Sequence, residues 1–120
     1  AGTNGKGSTC AMIASVLCAA GYRVGLHTSP YISRLNECMR ICGTQITDEE
    51  LTELVGIVRS AADAMDDHPT EFEIITALAM LYFNRQACDI VVLEVGLGGR
   101  LFVGGRHCRT AAPTRRRCGR

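Results

Sequence analysis

The sequence has 120 residues, of which 47% are hydrophobic and 21% charged, with a formal net charge of +1. This length allows one domain with a real core, and no apolar run approaches the roughly 18 residues that a membrane span requires. Seven cysteines without a C-x-x-C pair indicate neither a zinc site nor a disulfide framework, so we expect a globular cytoplasmic protein whose cysteines mostly serve as small buried hydrophobes.

The chain opens with the glycine-rich segment AGTNGKGST, which leads directly into a helical pattern. Closely spaced glycines let backbone N–H groups converge on one point, while Lys6 and the positive end of a helix dipole add charge there. The strict pattern G-x-x-x-x-G-K-[ST] is not met, because Gly7 follows the lysine, so a metal ligand must come partly from elsewhere. The segment predicts a site for nucleotide phosphates, formed by Thr3, Asn4, Gly5, Lys6, Gly7 and Ser8.

The elements after this loop can be predicted from their periodicity. Apolar residues at helical spacing predict a helix over 7–20, and residues 22–28 alternate like a strand that Ser29-Pro30 stops. Residues 31–46 predict a long loop with a short extended pair around 39–42 and 44–46. No strand-like sequence precedes the phosphate loop, so we expect a fragment that starts inside a domain.

Two capping boxes and a buried strand complete the pattern. The quartets TDEE at residues 47–50 and TEFE at residues 70–73 each open a helix, the first reaching about residue 65 and the second spanning 72–85. The β-branched run at 89–95 is typical of a strand that is covered on both faces in a parallel sheet. Helices alternating with such strands predict an α/β fold with a parallel sheet and flanking helices.

Glu94 closes this strand and precedes a second glycine-rich run, VGLGGR. In nucleotide-binding α/β proteins, a carboxylate at the carboxyl end of a strand beside the phosphate loop holds magnesium. We therefore predict that Glu94 binds a metal ion. Together with Lys6 it forms the predicted catalytic pair.

The periodicity that predicts helices and strands ends after Leu101. Residues 1–101 carry seven basic and twelve acidic side chains, whereas residues 102–120 carry six arginines and no acid. The latter segment lacks aliphatic periodicity, so it cannot bury enough surface to fold by itself. A nucleic-acid-binding arm is one interpretation, but we favour a basic disordered tail that is foreign to the domain, and we expect no nucleic-acid partner.

Four motifs in order carry a family resemblance: GTNGKGST, HTSPYISRLNE, TEFE and LEVGLGGR. Together, over residues 1–101, they resemble the folylpolyglutamate synthase and dihydrofolate synthase family of the Mur-ligase superfamily. The resemblance implies that 1–101 is part of a P-loop-type, Mur-ligase-like ATP-binding domain. In the family, GGRL continues with Asp, a small residue, Thr and Asn, whereas here Phe102 follows, so we interpret 102–120 as a frameshift-like end.

The resemblance also implies roles for individual residues. Residues 3–8 would wrap the ATP phosphates, with Lys6 on the β and γ oxygens, and Ser29 and Glu94 would bind Mg²⁺. The segment 30–43 resembles the family's mobile loop, which links the phosphate site to the substrate cleft. The family's pteroate- or folate-binding segment corresponds to Thr70, Glu71, Phe72 and Glu73.

The implied reaction is ATP-dependent amide formation by way of an acyl phosphate, with dihydropteroate or folates, L-glutamate and ATP as small-molecule substrates. We favour a bifunctional, monomeric parent enzyme and expect this fragment to be inactive alone, because the family's C-terminal glutamate-binding domain lies beyond the match. Two alternatives stay open. One is a Mur ligase of peptidoglycan synthesis, which would not be expected to share all four motifs, and the other is a non-catalytic nucleotide-binding module.

Overall fold

The computed structural model describes residues 4–96, and these form three α-helices and a four-stranded sheet. The predicted α/β class is confirmed, and each predicted helix and strand is present within a few residues of its expected bounds. Thr3 and residues 97–120, including the predicted tail, lie outside the described residues. In chain order the elements are α1 (Lys6–Ala19), β1 (Val24–His27), a 3₁₀ helix (Leu35–Cys38), β2 (Met39–Ile41), β3 (Thr44–Gln45), α2 (Asp48–Asp63), α3 (Glu71–Arg85) and β4 (Ile90–Leu93).

The sheet has the strand order β3-β2-β1-β4. β1 and β4 pair in parallel, with His27 opposite Leu93 at their carboxyl ends, so the predicted parallel arrangement holds for these two strands, whereas the described sheet as a whole is mixed. The extended pair predicted within the long loop is an antiparallel hairpin that adds β2 and β3 to the other side of β1. Its turn contains Cys42 and Gly43, both with positive φ, as a two-residue turn of type I′ requires.

The helices cover the two faces of this sheet. α1 packs on one face against Val24 and Leu26, while α3, backed by α2, packs on the other around Phe83. Gly25 allows the close approach of α3, because a Cβ atom there would lie 2.6 Å from Cδ1 of Phe83. β4 is less covered than its β-branched sequence predicts, since Val91 is 38% exposed within the described residues.

Both predicted capping boxes are confirmed. Thr47 and Thr70 are the N-caps of α2 and α3, and each hydroxyl accepts a hydrogen bond from the backbone N–H three residues later. In turn, the carboxylates of Glu50 and Glu73 each accept a hydrogen bond from the backbone N–H of the capping threonine. These reciprocal bonds satisfy N–H groups that have no acceptor inside the helix.

The cysteines contradict one prediction. Cys18, near the end of α1, forms a disulfide with Cys42 in the hairpin turn, and the two Cα atoms lie 5.8 Å apart. The 24-residue separation leaves no local spacing signal, because only the packing of α1 against β1 and its hairpin brings the thiols together. Among the free cysteines that the structure describes, Cys38 is buried, whereas Cys10 and Cys88 are only half-buried.

No helix within residues 4–96 is both long enough and apolar enough to span a bilayer.

Candidate nucleotide and metal site

The phosphate loop ends in a left-handed residue that starts α1. Gly5 is the N-cap, with φ of 80°, and no side chain caps the helix. The Gly5 carbonyl accepts two hydrogen bonds from Thr9, one from the backbone N–H at 2.9 Å and one from the side-chain hydroxyl at 2.7 Å. The first turn holds no acidic side chain, so the N–H groups of this turn and the positive dipole end attract anions.

Glu94 faces this helix start. Glu94 and Lys6 line the same cavity, which has a volume of about 420 Å³. A second cavity, of about 570 Å³, lies next to Tyr22 and Arg23 at the amino end of β1, away from both residues. Glu94 is 9% exposed, and a Cβ atom on Gly7 would lie 3.3 Å from its Oε2. The glycine that departs from the strict phosphate-loop pattern therefore leaves room for this carboxylate. The residues that line the smaller cavity are Asn4, Gly5, Lys6, Thr9, Cys10, Glu94 and Val95.

Parallel pairing places the predicted metal ligands at one edge of the sheet. The backbone N–H of Glu94 donates to the His27 carbonyl at 2.9 Å, so β1 and β4 end side by side. Ser29 follows β1 by two residues, is half-buried, and precedes Pro30 through a cis peptide bond. Ser29 does not line the smaller cavity. A carboxylate and a hydroxyl at a strand edge are hard oxygen donors of the kind that Mg²⁺ prefers.

Metal binding here would not depend on a cluster of His, Cys, Asp and Glu side chains. Residues 4–96 contain no group of three or more such side chains that could hold an ion. Glu94 is the single acidic residue among those that line the smaller cavity. The oxygen donors that residues 4–96 offer here fit a cation that is also bound by phosphate oxygens.

Sequence reasoning missed three residues of this cavity, Thr9, Cys10 and Val95. Thr9 and Cys10 follow Lys6 by three and four positions, so helical spacing could have found them on the same face. Burial raises the pKa of the Cys10 thiol, and the charge of Glu94 raises it further. The thiol is therefore neutral beside the carboxylate. Ser8, which was predicted to bind phosphate, is exposed and does not line the cavity.

His27 was also missed, although it lies at the centre of this edge. Its side chain is 1% exposed, and its Nδ1 donates to the carbonyl of Cys38 at 2.9 Å, since a carbonyl can only accept. Nε2 is buried and has no hydrogen-bond partner within the described residues. Burial lowers the pKa of His27, against the opposing effects of the Cys38 bond and the charge of Glu94. One such bond contributes about 1 kcal/mol net, whereas an unpaired buried nitrogen costs about 1–3 kcal/mol.

The predicted substrate residues lie together on the first turn of α3. The carboxylate of Glu73 accepts hydrogen bonds from the backbone and hydroxyl of Thr70, and these bonds lower its pKa. Phe72 is 43% exposed, and Glu71 Oε1 lies 3.5 Å from the hydroxyl of Tyr31, which follows the Ser29-Pro30 pair. None of the four predicted substrate residues lines the smaller cavity, which contains Lys6 and Glu94.

The segment predicted as a mobile loop contains regular structure. Glu37, in the 3₁₀ helix, accepts backbone hydrogen bonds from Ile32 at 2.9 Å and Arg34 at 3.2 Å, and the first of these is the main cause of its lowered pKa. Asn36 donates to the carbonyl of Ile46 and to the carboxylate of Asp48. The side chain of Ile32 itself is almost fully exposed. Hydrogen bonds inside the segment and from Asn36 to residues that follow it therefore hold the segment, and its mobility stays a prediction.

These features define the class of protein. A glycine-rich helix start and a strand-end carboxylate meet at the carboxyl edge of parallel strands, where α/β proteins bind nucleotide phosphates. No protein-family model matches the chain. Individual relatives and solved structures do match it, and they identify the particular family.

Among the relatives is the dihydrofolate synthase/folylpolyglutamate synthase of Bacillus subtilis, 52% identical over 105 residues, covering 83% of this chain and 24% of the relative. A folylpolyglutamate synthase of Lacticaseibacillus casei is 48% identical over 103 residues, covering 82% and 24%. By sequence and fold, the chain belongs to the folylpolyglutamate synthase/dihydrofolate synthase family. It spans about a quarter of the length of the relatives that it matches.

Solved structures agree in fold. The folylpolyglutamate synthase of Thermotoga maritima matches with a TM-score of 0.78 at 41% identity, covering 83% of this chain and 25% of that one. E. coli FolC in complex with DHPP and ADP matches with a TM-score of 0.76 at 44% identity, covering 84% and 24%. A bifunctional folylpolyglutamate synthase/dihydrofolate synthase with Mn, AMPPNP and L-glutamate bound matches with a TM-score of 0.76 at 42% identity, also covering 84% and 24%.

Proposed function

We propose that the complete gene product is a cytoplasmic, ATP-dependent amide ligase that adds L-glutamate to dihydropteroate, to the γ-carboxylate of a folate, or to both. The observation that carries the proposal is the cavity shared by the Lys6 loop and Glu94 at the carboxyl edge of β1 and β4. Solved relatives bind ADP or AMPPNP, Mn, DHPP and L-glutamate, which supports ATP, a divalent cation and these substrate classes.

The residues of the phosphate loop would stabilise the negative charge that develops during phosphoryl transfer. The substrate carboxylate attacks the γ-phosphorus of ATP, the bond to the β,γ-bridging oxygen breaks, and ADP leaves an acyl phosphate behind, while negative charge builds on the phosphoryl oxygens. Lys6 and the N–H groups at the start of α1 stabilise that charge. The amine of glutamate then displaces phosphate and leaves an amide, so no protein nucleophile is needed. Mg²⁺, when held by Glu94 and Ser29, would supply further charge neutralisation.

The substrate side of the site would begin at α3. Phe72 offers an exposed ring, and Glu71 is in contact with Tyr31 from the segment that follows Ser29-Pro30. An aromatic ring beside polar groups suits a flat pterin with polar edges. Thr70 and Glu73 would fix this turn through the capping box, because their polar atoms already bond one another. We propose that capping and substrate binding use the same turn.

The phosphate loop is tested by Lys6→Ala in the complete gene product. Turnover should fall by a factor on the order of 10², while folate binding changes little, because the ammonium group acts mainly on charge that develops in the transition state. Product formation is measured by mass spectrometry of the glutamylated substrate. Near-normal turnover in the variant would remove Lys6 from the mechanism.

The metal ligands are tested by titrating Mg²⁺ against activity. Glu94→Gln and Ser29→Ala should each raise the concentration needed for half-maximal rate, and their combined effect should be non-additive if they bind one ion. Glu49→Gln is the matched control, since Glu49 is an exposed glutamate on the first turn of α2. Unchanged titrations in both site variants would show that the ligands are wrongly assigned.

The choice of substrate is tested with the wild type. Assays with dihydropteroate and with tetrahydrofolate, each with ATP and L-glutamate, distinguish the two activities. We propose that both substrates are used, because the relatives at 52% and 44% identity carry the names of both activities. Activity with one substrate alone would restrict the proposal to that reaction.

A further inference from the structure

His27 connects the two strand ends that carry the proposed metal ligands. Its carbonyl accepts the backbone N–H of Glu94 at 2.9 Å. Its ring Nδ1 donates to the carbonyl of Cys38 at 2.9 Å, and this carbonyl also accepts the backbone N–H of Thr28 at 3.2 Å. One residue therefore bonds the residue that follows β4 through its main chain, and the last residue of the 3₁₀ helix through its ring.

Stability does not account for a histidine at this position. The bond to Cys38 gives a modest net gain, whereas Nε2 is buried without a partner in the described residues, which costs as much or more. A phenylalanine ring of similar size would be buried without that cost. The value of the imidazole therefore lies in what its Nδ1 bond holds in place.

We propose that His27 is a positioning residue for the metal and nucleotide site. Through the Cys38 carbonyl, the ring ties together the two ends of the segment between Thr28 and Cys38, and so fixes Ser29 relative to Glu94. This inference rests on the proposed function, because Ser29 and Glu94 have a metal role only there. Without the ring N–H, the Cys38 carbonyl retains the Thr28 bond alone, while the backbone bond from Glu94 to His27 stays.

Three substitutions at one position separate the two ring nitrogens. His27→Phe removes both polar atoms at similar size. His27→Asn keeps an N–H close to the position of Nδ1, and His27→Gln extends its amide toward the position of Nε2. Tyr82→Phe is the matched control, because Tyr82 is a buried aromatic residue of α3 that lines the cavity of about 570 Å³ beyond the amino end of β1.

The measurement is Mn²⁺ binding in the presence of AMPPNP, followed by electron paramagnetic resonance in the complete gene product, with thermal unfolding in parallel. His27→Phe should raise the Mn²⁺ concentration for half-saturation about fivefold, the effect of one modest hydrogen bond, without lowering the melting temperature. His27→Asn should restore the wild-type affinity, and His27→Gln should not. Tyr82→Phe should bind Mn²⁺ like the wild type.

Wild-type Mn²⁺ affinity in His27→Phe would overturn the inference, and so would a His27→Asn variant as weak as His27→Phe. These results would leave the proposed function intact, because wild-type binding and its dependence on Glu94 are measured separately. If the wild type bound no Mn²⁺ with AMPPNP, the proposed function and the role of His27 would both be wrong.

Discussion

Gly25 in β1 offers the sharpest test of how α3 packs on the sheet. An added Cβ atom would lie 2.6 Å from Cδ1, 2.7 Å from Cγ and 2.9 Å from Cε1 of Phe83, well inside the ordinary contact distance of 3.4–4 Å. Phe83 is 2% exposed, so its ring has no free space into which it could turn. Gly25→Ala should therefore lower the free energy of unfolding by about 1–3 kcal/mol, the usual cost of overpacking a core.

Urea unfolding followed by circular dichroism measures this loss, with Gly56→Ala as the matched control. Gly56 lies on the exposed side of α2, and an added Cβ atom there would have no neighbour within 4 Å. That substitution should raise the free energy of unfolding by up to about 1 kcal/mol, because alanine favours a helix over glycine.

A double-mutant cycle identifies the contact itself. Phe83→Leu removes ring atoms that the new methyl group would meet, so its effect should depend on whether residue 25 is glycine or alanine. We expect a coupling of about 0.5 kcal/mol or more between the two changes. Wild-type stability in Gly25→Ala, or strict additivity in the cycle, would refute the close approach of α3 to β1.

Two further predictions concern the ends of α3 and α1. Thr70→Ala should lower the free energy of unfolding by about 1 kcal/mol, measured by urea unfolding. It should also raise the pKa of Glu73 in an NMR titration, though only in part: the backbone N–H of residue 70, the main cause of the lowered pKa, stays, and only the hydroxyl bond is lost. Because the pKa of Glu73 is lower in the folded state, its carboxylate stabilises the fold at pH values above the unfolded pKa. This contribution is lost as the pH falls through the folded pKa. Thr70→Ala should therefore lose less stability than the wild type when the solution is acidified. Reduction of the Cys18–Cys42 disulfide should lower the free energy of unfolding by about 3 kcal/mol, because the bond closes a loop with a sequence separation of 24 residues. Alkylation of the unfolded protein counts the free thiols, and equal counts with and without reductant would show that the disulfide is absent.

Local signals in the sequence determined most of the elements and part of the site. The capping quartets at residues 47–50 and 70–73 fixed the starts of α2 and α3, because a cap is formed by atoms only three residues apart. The phosphate loop and the strand-end Glu94 were predicted from residue type and order, and the structure places Lys6 and Glu94 on one cavity. Periodicity and capping chemistry are properties of short segments, so one sequence is enough to find them.

Tertiary structure alone decided the rest, because those features join residues that are far apart along the chain. The Cys18–Cys42 disulfide and the buried ring of His27 depend on how the hairpin packs against β1 and α1. The space at Gly7 that receives Glu94 is likewise set by the distance between α1 and β4. Contact between distant segments depends on the position of the whole backbone, and no pattern within either segment encodes that position.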